Sequence, residues 1–138
     1  KKKKTGGGEN HRFALYDMVM LKDNHIDFAG GIPEAIAKTK TYLAENDLDL
    51  KIIVEARDLA EVEAILEAGG VFRILLDNFN YEDTRTAVKM IGDQCLTESS
   101  GNINEDTLAK YAKCGVDYIS SGALTHSVYN MDLSLKAV

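Results

Sequence analysis

The stretch KIIVEARDLAEVEAILEAGGVFRILLD, residues 51–77, decides the fold because it places one amphipathic helix between two β-rich segments. The β-rich segments are Lys51–Glu55 and Arg73–Asp77, each short and dominated by aliphatic side chains. Between them, Asp58–Ala68 repeats its aliphatic residues at helical spacing and is followed by two glycines that end the helix. A strand, a helix and a second strand of these lengths predict a βαβ unit with parallel strands.

The same alternation continues on both sides of this unit. Further strands are predicted at Met18–Leu21, Gln94–Glu98 and Asp117–Ser121, and further helices at Pro33–Leu43, Tyr81–Ile91 and Asn104–Lys113. A final run, Leu133–Val138, is a candidate for one more strand. Because five or six strands are fewer than the eight of a closed barrel, the expected fold is an incomplete (β/α) barrel of the α/β class. The missing part would be one or more N-terminal strands.

Each predicted strand ends in a polar residue. These residues are Lys22, Glu55, Asp77, Glu98 and the pair Ser120-Ser121. The last four strand ends recur about 22 residues apart, which is the length of one strand, one helix and their loops. In β/α barrels the active site is built from residues at the C-terminal ends of several strands, so the recurrence predicts a site at that edge of the sheet. An open doubly wound sheet is the competing architecture, but no glycine-rich dinucleotide fingerprint follows any predicted strand.

Composition and charge narrow the class of protein. The chain has 138 residues, of which 45% are hydrophobic, and its formal net charge is −6. This size suits one domain, and the acidic balance argues against a role on nucleic acids or membrane surfaces. No apolar run approaches the roughly 20 residues that span a bilayer. Cys95 and Cys114 lack metal-ligand spacing, which favours reduced thiols and a cytoplasmic location.

The segment Gly6–Ile26, GGGENHRFALYDMVMLKDNHI, gathers cations beside a glycine turn and a short strand. Glycines let a backbone approach a ligand closely. The guanidinium of Arg12 and the ammonium of Lys22 suit a ligand with several carboxylates or phosphates, so the segment predicts an anion site. Residues 1–5, rich in lysine, are interpreted as a basic tail or the remnant of an upstream segment, and residues 6–138 as the partial barrel.

Four segments occur in order along the chain: the opening segment, LLDNF at Leu75–Phe79, TESSGNI at Thr97–Ile103 and ISSGALTHS at Ile119–Ser127. Together they closely resemble quinolinate phosphoribosyltransferase, the nicotinate-nucleotide pyrophosphorylase (carboxylating) family of NAD biosynthesis. The resemblance implies an enzyme, a pentosyltransferase that joins quinolinate to 5-phosphoribosyl 1-pyrophosphate (PRPP). The implied products are nicotinate mononucleotide, pyrophosphate and carbon dioxide, and the implied cofactor is Mg²⁺. The resemblance also implies an N-terminal α+β domain that these residues do not include.

Quinolinate carries two adjacent carboxylates, and the resemblance assigns their binding to His11, Arg12 and Lys22. Arg12 can grip one carboxylate with two parallel hydrogen bonds, and His11 can donate from its ring. The alternative is that His11 and Arg12 cap the turn or pair with Asp17 or Asp23.

The resemblance assigns Glu55 and Asp77 to the phosphoribosyl and Mg²⁺ site, and with Lys22 they are the candidate catalytic residues. Carboxylates near the ribose can hydrogen-bond its hydroxyls. They can also hold, directly or through water, the metal that neutralises departing pyrophosphate. The alternative for each carboxylate is an ion pair with a nearby Lys or Arg. Glu98 fits the same series of strand ends, or it only supports the loop that follows it.

The 5-phosphate of PRPP requires main-chain N–H groups and hydroxyls in small loops at this edge of the sheet. The resemblance assigns two Ser-Gly loops to it: Ser100, Gly101 and Asn102, and Ser121, Gly122 and Ala123. Each loop leads toward a helix whose N-terminus favours anions, although Ser-Gly pairs also occur in ordinary turns. Asn102 stands where many members of the family have glycine.

Two histidines and the assembly complete the expectations. His25 is expected to orient Lys22 or Asn24, whereas for His126 a structural role competes with a catalytic one. The resemblance implies a homodimer or higher homo-oligomer with shared active sites. We therefore expect these 138 residues alone to bind their ligands weakly and to convert little substrate. Two alternatives stay open: a homologue with another acceptor, such as nicotinate, and a non-catalytic anion-binding fragment of the barrel.

Overall fold

Residues 7, 8, 11 and 17–122 are described by the computed structural model, and they form one parallel sheet with helices between its strands. The strands are β1 (Met18–Leu21), β2 (Lys51–Ala56), β3 (Arg73–Asp77), β4 (Leu96–Ser100) and β5 (Tyr118–Ile119). The helices are α1 (Asp23–Ala29), α2 (Ile32–Glu45), α3 (Leu59–Ala68), α4 (Tyr81–Ile91) and α5 (Glu105–Ala112). Strand and helix therefore alternate as predicted, apart from the additional helix α1.

The strand order in the sheet is the order along the chain, β1-β2-β3-β4-β5, and every pairing is parallel. Successive helices pack against each other, so α1 to α5 form one layer. A doubly wound sheet instead reverses its strand order at a switch point and carries helices on both faces. The sheet is thus a singly wound portion of a (β/α) barrel, as expected, and within the described residues it is open, with β1 and β5 as its edges.

One face of the sheet packs against the helix layer and forms the hydrophobic core. Alternate residues of the central strands lie there and are buried: Ile52, Val54 and Ala56 of β2, and Ile74 and Leu76 of β3. The helices contribute to the same cluster with Ile36, Val62, Ile65, Ala87 and Ile91. Full burial of a Val, Leu or Ile side chain contributes roughly 1.5–3 kcal/mol, so this face is the main apolar source of stability.

The opposite face of the sheet, called the inner face below, carries the other half of each strand because side chains alternate along a strand. The register forms three rows across it: Ile53–Arg73–Leu96, Glu55–Leu75–Glu98–Tyr118, and Asp77–Ser100. The row nearest the strand starts is mostly apolar, and the row at the strand ends is polar. The polar strand-end residues therefore share one face and one edge of the sheet.

Helix α1 is the element that sequence patterns do not predict. Its seven residues include Asp23, Asn24 and His25, which are weak helix formers, so the segment has the composition of a loop. The helix begins where His25 Nδ1 accepts the Lys22 backbone N–H, and it ends at Gly30 with a φ of 100°. Local hydrogen bonding at both ends thus outweighs a weak propensity.

Strand β4 begins and ends two residues later than the predicted Gln94–Glu98. The Gln94 N–H donates to the carbonyl of Ile91, the last residue of α4, so Gln94 belongs to the turn after the helix. Ser99 and Ser100, which have turn-forming composition, instead continue the sheet because they pair with the last two residues of β3. The correction brings Ser100 to the strand end, beside Asp77.

Strand β5 is shorter than the predicted Asp117–Ser121. The Asp117 carboxylate accepts hydrogen bonds from both the N–H and the hydroxyl of Thr97, at 2.8 Å each. The Asp117 side chain therefore replaces a backbone hydrogen bond between β4 and β5 at the start of this strand.

Several expectations concern residues outside the described part of the chain: the tail at residues 1–5, the candidate strand Leu133–Val138, and the roles of Arg12, Ala123 and His126. The longest described helix, α2, has 14 residues. In the described part of the chain, no helix is long and apolar enough to cross a membrane.

Candidate active site

The predicted strand-end residues lie together at the C-terminal edge of the sheet. Lys22 directly follows β1, Glu55 lies near the end of β2, and Asp77 ends β3. Ser100 ends β4 beside Asp77, and Ser120 follows β5. Glu55 and Asp77 are half-buried, whereas Lys22 is exposed. Two carboxylates, one ammonium and two hydroxyls thus line one edge. The spacing predicts Glu98 at the end of β4, and Ser100 takes that place because the strand ends two residues later.

Glu98 is buried at the centre of this region, with 1% of its side chain exposed. Its Oε2 accepts a hydrogen bond from Arg73 Nη1 at 2.8 Å, and its Oε1 accepts one from the Ser120 hydroxyl. His11 Nε2 lies 3.2 Å from the same Oε1. A buried carboxylate needs such partners because its desolvation is otherwise costly. Glu98 therefore contacts three other parts of the chain, which is more than support for the loop that follows it.

Asp77 is linked to the first Ser-Gly loop through Asn78. Asn78 Nδ2 donates to Asp77 Oδ2 at 2.9 Å, and Asn78 Oδ1 accepts from Asn102 Nδ2 at 3.1 Å. The Asn78 N–H also donates to the Ser100 carbonyl at 2.9 Å. Sequence patterns do not single out Asn78; only its place after Asp77 in the LLDNF segment points to it.

The two asparagines of this chain of contacts have left-handed backbones. Asn78 has a φ of 56° and Asn102 a φ of 51°. Glycine enters this region freely, and asparagine does so more readily than most side chains. The conformation therefore accounts for asparagine at position 102, where the resemblance implies glycine.

At Gly101 the first Ser-Gly loop packs closely against Asn78, in the loop that follows β3. The φ of Gly101 is 89°, and a Cβ atom there would lie 2.9 Å from the Asn78 backbone nitrogen and closer still to the Asn78 side-chain amide. A residue with a side chain has neither the favourable conformation nor the space for this position. The loop that is predicted to bind phosphate is thus packed directly against the residue that follows Asp77.

Helix α5, which follows the first Ser-Gly loop, is capped at its N-terminus by the side chain of Asn104. Asn104 Oδ1 accepts hydrogen bonds from the Asp106 and Thr107 N–H groups at 3.0 and 3.1 Å. Glu105 and Asp106 add negative charge to the first turn. The N-terminus of α5 is therefore poorly suited to an anion, unlike the helix N-terminus expected after this loop.

The second Ser-Gly loop is held against the first. Ser121 Oγ donates to the Ile103 carbonyl at 2.5 Å, and the Ser120 N–H donates to a carbonyl of β4 at 3.0 Å. Gly122 is exposed, and Ala123 lies outside the described residues. The structure thus brings the two predicted phosphate loops to adjacent strand ends.

Two of the three residues predicted to bind quinolinate fall within the described residues. His11 lies beside Glu98, as given above, and Lys22 forms the junction between β1 and α1. The Lys22 N–H donates to His25 Nδ1 at 3.1 Å, so His25 fixes the backbone of Lys22. Arg12 lies outside the described residues.

Arg57 forms an ion-pair cluster, beside this edge, that sequence patterns do not reveal. It follows β2, and its guanidinium donates to Glu61 at 2.7 Å and to both carboxylate oxygens of Asp27 at 3.0 and 3.1 Å. The hydrogen bonds to Glu61, and then those to Asp27, raise the pKa of Arg57. Because the Arg57 side chain is 40% exposed, water screens these pairs. Their main effect is to join α1 to the start of α3.

Glu55 and Asp77 are the described residues that fit the implied Mg²⁺. Their carboxylates belong to adjacent strands and are offset by one row of the inner face. Magnesium usually binds through one or two protein carboxylates and keeps several waters, which matches a pair of this kind. Among the residues that the structure describes, no group of three or more His, Cys, Asp or Glu side chains forms a closed metal cage.

The N-terminal edge of the sheet has a different character. A shallow depression of about 370 Å³ lies there, and its lining includes Phe72, Cys95 and Asp117. Burial, and then the nearby Asp117 carboxylate, raise the pKa of the Cys95 thiol. A thiol in this state is a poor nucleophile at neutral pH. The C-terminal edge is therefore the candidate active site.

Comparison with known proteins identifies the family. A sequence model described as quinolinate phosphoribosyl transferase, C-terminal domain, matches residues 2–136. The chain belongs to this family. Quinolinate phosphoribosyltransferase (decarboxylating) 2a, mitochondrial, from Nicotiana tabacum is 44% identical over 145 residues, which cover 95% of this chain and 41% of that protein. The resemblance carried by the four sequence segments is thus confirmed.

Relatives outside plants support the same assignment to the quinolinate phosphoribosyltransferase family. The probable nicotinate-nucleotide pyrophosphorylase (carboxylating) of Methanocaldococcus jannaschii is 43% identical over 140 residues, covering 96% of this chain and 48% of that protein. The structure of the nicotinate-nucleotide pyrophosphorylase from Francisella tularensis matches with a TM-score of 0.82 at 38% identity, over 96% of this chain and 46% of that one. The chain spans less than half the length of these proteins.

Proposed function

We propose that the protein carrying this chain transfers the phosphoribosyl group of PRPP to quinolinate and releases carbon dioxide, giving nicotinate mononucleotide and pyrophosphate for NAD biosynthesis. The observation that carries the proposal is the C-terminal edge of the sheet. There, carboxylates, hydroxyls and a lysine from five consecutive strands lie together in a chain of this family. The names of the relatives support the reaction, since those proteins are named for quinolinate phosphoribosyl transfer or for its reverse, pyrophosphorolysis.

Binding of quinolinate is proposed for His11, Arg12 and Lys22. Two adjacent carboxylates need cations from fixed directions. Lys22 has a fixed backbone between β1 and α1, and His11 is held at the inner face beside Glu98. These anchors support a site that selects a dicarboxylate over a monocarboxylate.

Binding of the ribose and of pyrophosphate is proposed for Glu55 and Asp77. An oxocarbenium-like transition state gains from anionic groups near the ribose, and half-buried carboxylates act more strongly than fully solvated ones. Asn78 holds one oxygen of Asp77 and leaves the other for the ligand. Mg²⁺, when bound by these two carboxylates, would neutralise charge on the departing pyrophosphate.

Binding of the 5-phosphate is proposed for the two Ser-Gly loops, with Ser100, Gly101 and Asn102 on one side and Ser121, Gly122 and Ala123 on the other. The left-handed backbones at Gly101 and Asn102 turn main-chain groups in the manner of anion-binding loops. The Asn78 contacts keep this loop at a fixed distance from Asp77. Phosphate and ribose would therefore be held by one connected unit.

The reaction needs no side-chain nucleophile. The pyridine nitrogen of quinolinate attacks the anomeric carbon, and pyrophosphate leaves with the electron pair of the carbon–oxygen bond. The resulting pyridinium ring accepts the electron pair that the departing carbon dioxide leaves behind, and a proton takes its place. The residues of the site would contribute positioning and charge stabilisation, which account for most of the rate enhancement in reactions of this type.

Assembly and location are part of the same proposal. A homodimer or higher homo-oligomer with shared active sites is proposed from the family, and sedimentation of the full-length protein would test it. A cytoplasmic location is proposed from the two free cysteines, Cys95 and Cys114. The tobacco relative named above is a mitochondrial protein by name, so cell fractionation is the test of location.

The test of the function is calorimetric titration of the full-length protein with quinolinate and, separately, with nicotinate. Quinolinate should bind at least about tenfold more tightly, since one lost ion pair is worth about 1.4 kcal/mol or more. Equal affinities would favour a homologue with another acceptor. Binding of quinolinate without any turnover in the presence of PRPP and Mg²⁺ would favour a non-catalytic anion-binding role.

A further inference from the structure

We propose that Glu98 is a positioning residue that joins the two substrate ends of the site, because one of its carboxylate oxygens holds both His11 and Ser120. The inference rests on the proposed function, in which His11 binds quinolinate and Ser120 precedes the second phosphate loop. Glu98 acts through these two residues and touches neither substrate itself.

The place of Glu98 in the sheet explains how it reaches both. It lies in the middle row of the inner face, in register with Leu75 on one side and Tyr118 on the other. Its side chain is 1% exposed, so its charge is satisfied by protein groups. His11 Nε2 lies 3.2 Å from Oε1, and the Ser120 hydroxyl donates to the same oxygen. One atom thus joins the opening segment to the residue that precedes the second phosphate loop.

Arg73 fixes the other oxygen of Glu98. Its Nη1 donates to Oε2 at 2.8 Å, and its guanidinium lies 4.1 Å from the centre of the Tyr118 ring. Arg73 is 7% exposed and belongs to the row nearest the strand starts, away from the edge where ligands would bind. A buried guanidinium and carboxylate form a directional pair. Because this pair holds Oε2, the direction of Oε1 toward His11 and Ser120 is fixed as well.

The geometry at His11 indicates which ring nitrogen faces the ligand. His11 Nε2 is buried and makes no aligned hydrogen bond within the described residues, although Glu98 Oε1 is 3.2 Å away. A small rotation of the ring would align the two. With Nε2 turned toward Glu98, Nδ1 is the nitrogen left for a carboxylate of quinolinate. Carboxylates orient imidazole rings in this way in catalytic triads and metal sites.

The competing explanation is that Glu98 serves only to neutralise Arg73 inside the fold. A double-mutant cycle on quinolinate binding by the full-length protein separates the two, using His11→Ala, Glu98→Gln and the double variant. Glu98→Gln keeps the shape of the side chain and should weaken binding about tenfold, about 1.4 kcal/mol. The double variant should then bind within about twofold of His11→Ala. Losses that multiply would overturn the proposal, because effects of independent sites add in free energy.

Three further variants complete this test. Removing the charge of Glu98 leaves Arg73 without its counterion, so Glu98→Gln is also combined with Arg73→Met, which makes both members of the buried pair neutral. The triple variant that also carries His11→Ala should bind quinolinate within about twofold of His11→Ala alone. Glu67→Gln, at an exposed position of α3, is the matched control and should bind quinolinate as the unchanged protein does. Ser120→Ala should raise the KM for PRPP several-fold and the KM for quinolinate less. Equal changes in the two KM values would contradict the assignment of Ser120 to the part of the site that binds PRPP.

A measurement without ligand tests the contact between Glu98 and His11 directly. In nitrogen-15 spectra of the histidine rings, with His11 assigned by its loss in His11→Ala, Glu98→Gln should shift the His11 ring signals and leave those of His25 in place. Unmoved His11 signals would overturn the proposal. Failure of the unchanged protein to bind quinolinate would instead contradict the proposed function, and the ring signals would still report whether Glu98 holds His11.

Discussion

Strand β3 illustrates how differently the two faces of the sheet are built. On the helix-covered face it places Ile74 and Leu76, both 0% exposed and packed in the hydrophobic core. On the inner face the alternate residues are Arg73, which is paired with Glu98, the buried Leu75, and the half-buried Asp77 at the strand end. A shift of one residue along the strand therefore separates a position that stabilises the fold from a position available to ligands. Substitutions on the two faces should have opposite signatures.

The largest expected effect is on the helix-covered face. Leu76→Ala leaves a cavity in a core that is closed from both sides, so the free energy of unfolding should fall by about 2–5 kcal/mol. Denaturant titration measures this change. The exposed Leu48 is the matched control, and Leu48→Ala should change stability by less than about 0.5 kcal/mol. The affinity of the folded fraction for quinolinate should be unaltered, and a change as large as the stability loss would break the separation of the two faces.

The reverse signature is expected at the strand end. Asp77→Asn removes the anion proposed to act beside the ribose, so kcat/KM for phosphoribosyl transfer should fall about 100-fold or more, in the range seen for lost electrostatic stabilisers. Initial-rate kinetics give the size, and thermal unfolding should show little change. Asp93→Asn, at an exposed carboxylate near the opposite edge, is the control. A similar rate loss in Asp93→Asn would show that general charge, and not position, matters.

An intermediate effect is expected where backbone shape and site meet. Gly101→Ala introduces a side chain at a positive φ and against Asn78, and should destabilise the protein by about 1–3 kcal/mol and weaken PRPP binding. Gly92 also has a positive φ, 53°, but a Cβ there meets nothing within 4 Å. Gly92→Ala therefore reports the cost of the backbone conformation alone. If the two variants lost equal stability and both bound PRPP normally, the close approach of the two loops would be irrelevant to the site.

The smallest effect concerns pH. Burial and Asp117 raise the pKa of Cys95 above its ordinary value of 9.0. Burial, followed by Tyr81 and Cys114, raises the pKa of Tyr111 above its ordinary value of 10.0. Each neutral form is favoured in the folded state, so the stability it contributes is present below the ordinary pKa and is lost as pH rises through the folded one. The free energy of unfolding should decline above pH 9, and Cys95→Ala should lessen the first part of that decline. An unchanged pH profile in Cys95→Ala would contradict this assignment.

The ladder of strands could be predicted from the sequence because its signals are local. Aliphatic runs such as Arg73–Asp77 and the regular spacing of strand ends place Glu55, Asp77 and Ser120 at one edge. Helix α1 could not be predicted, since Asp23, Asn24 and His25 have weak helix propensity.

Which side chains pair within the site depends on strand register and backbone conformation, and the spacing of residues in the sequence determines neither. Arg73 meets Glu98 across 25 residues because β3 and β4 pair in one particular register. Asn78 joins Asp77 to Asn102 only because two backbones turn to a positive φ. A slip of one residue in the pairing of β3 with β4 would turn these side chains to the other face of the sheet, and the spacing of strand ends does not fix that register.

The most direct test of the proposed reaction is the rate of nicotinate mononucleotide formation by the full-length protein, with PRPP and Mg²⁺ and either quinolinate or nicotinate as the acceptor. We expect product from quinolinate, with one pyrophosphate and one carbon dioxide per nucleotide, at a kcat/KM at least about tenfold above that for nicotinate, or about 1.4 kcal/mol in transition-state free energy. No product from quinolinate, or equal rates with the two acceptors, would contradict it.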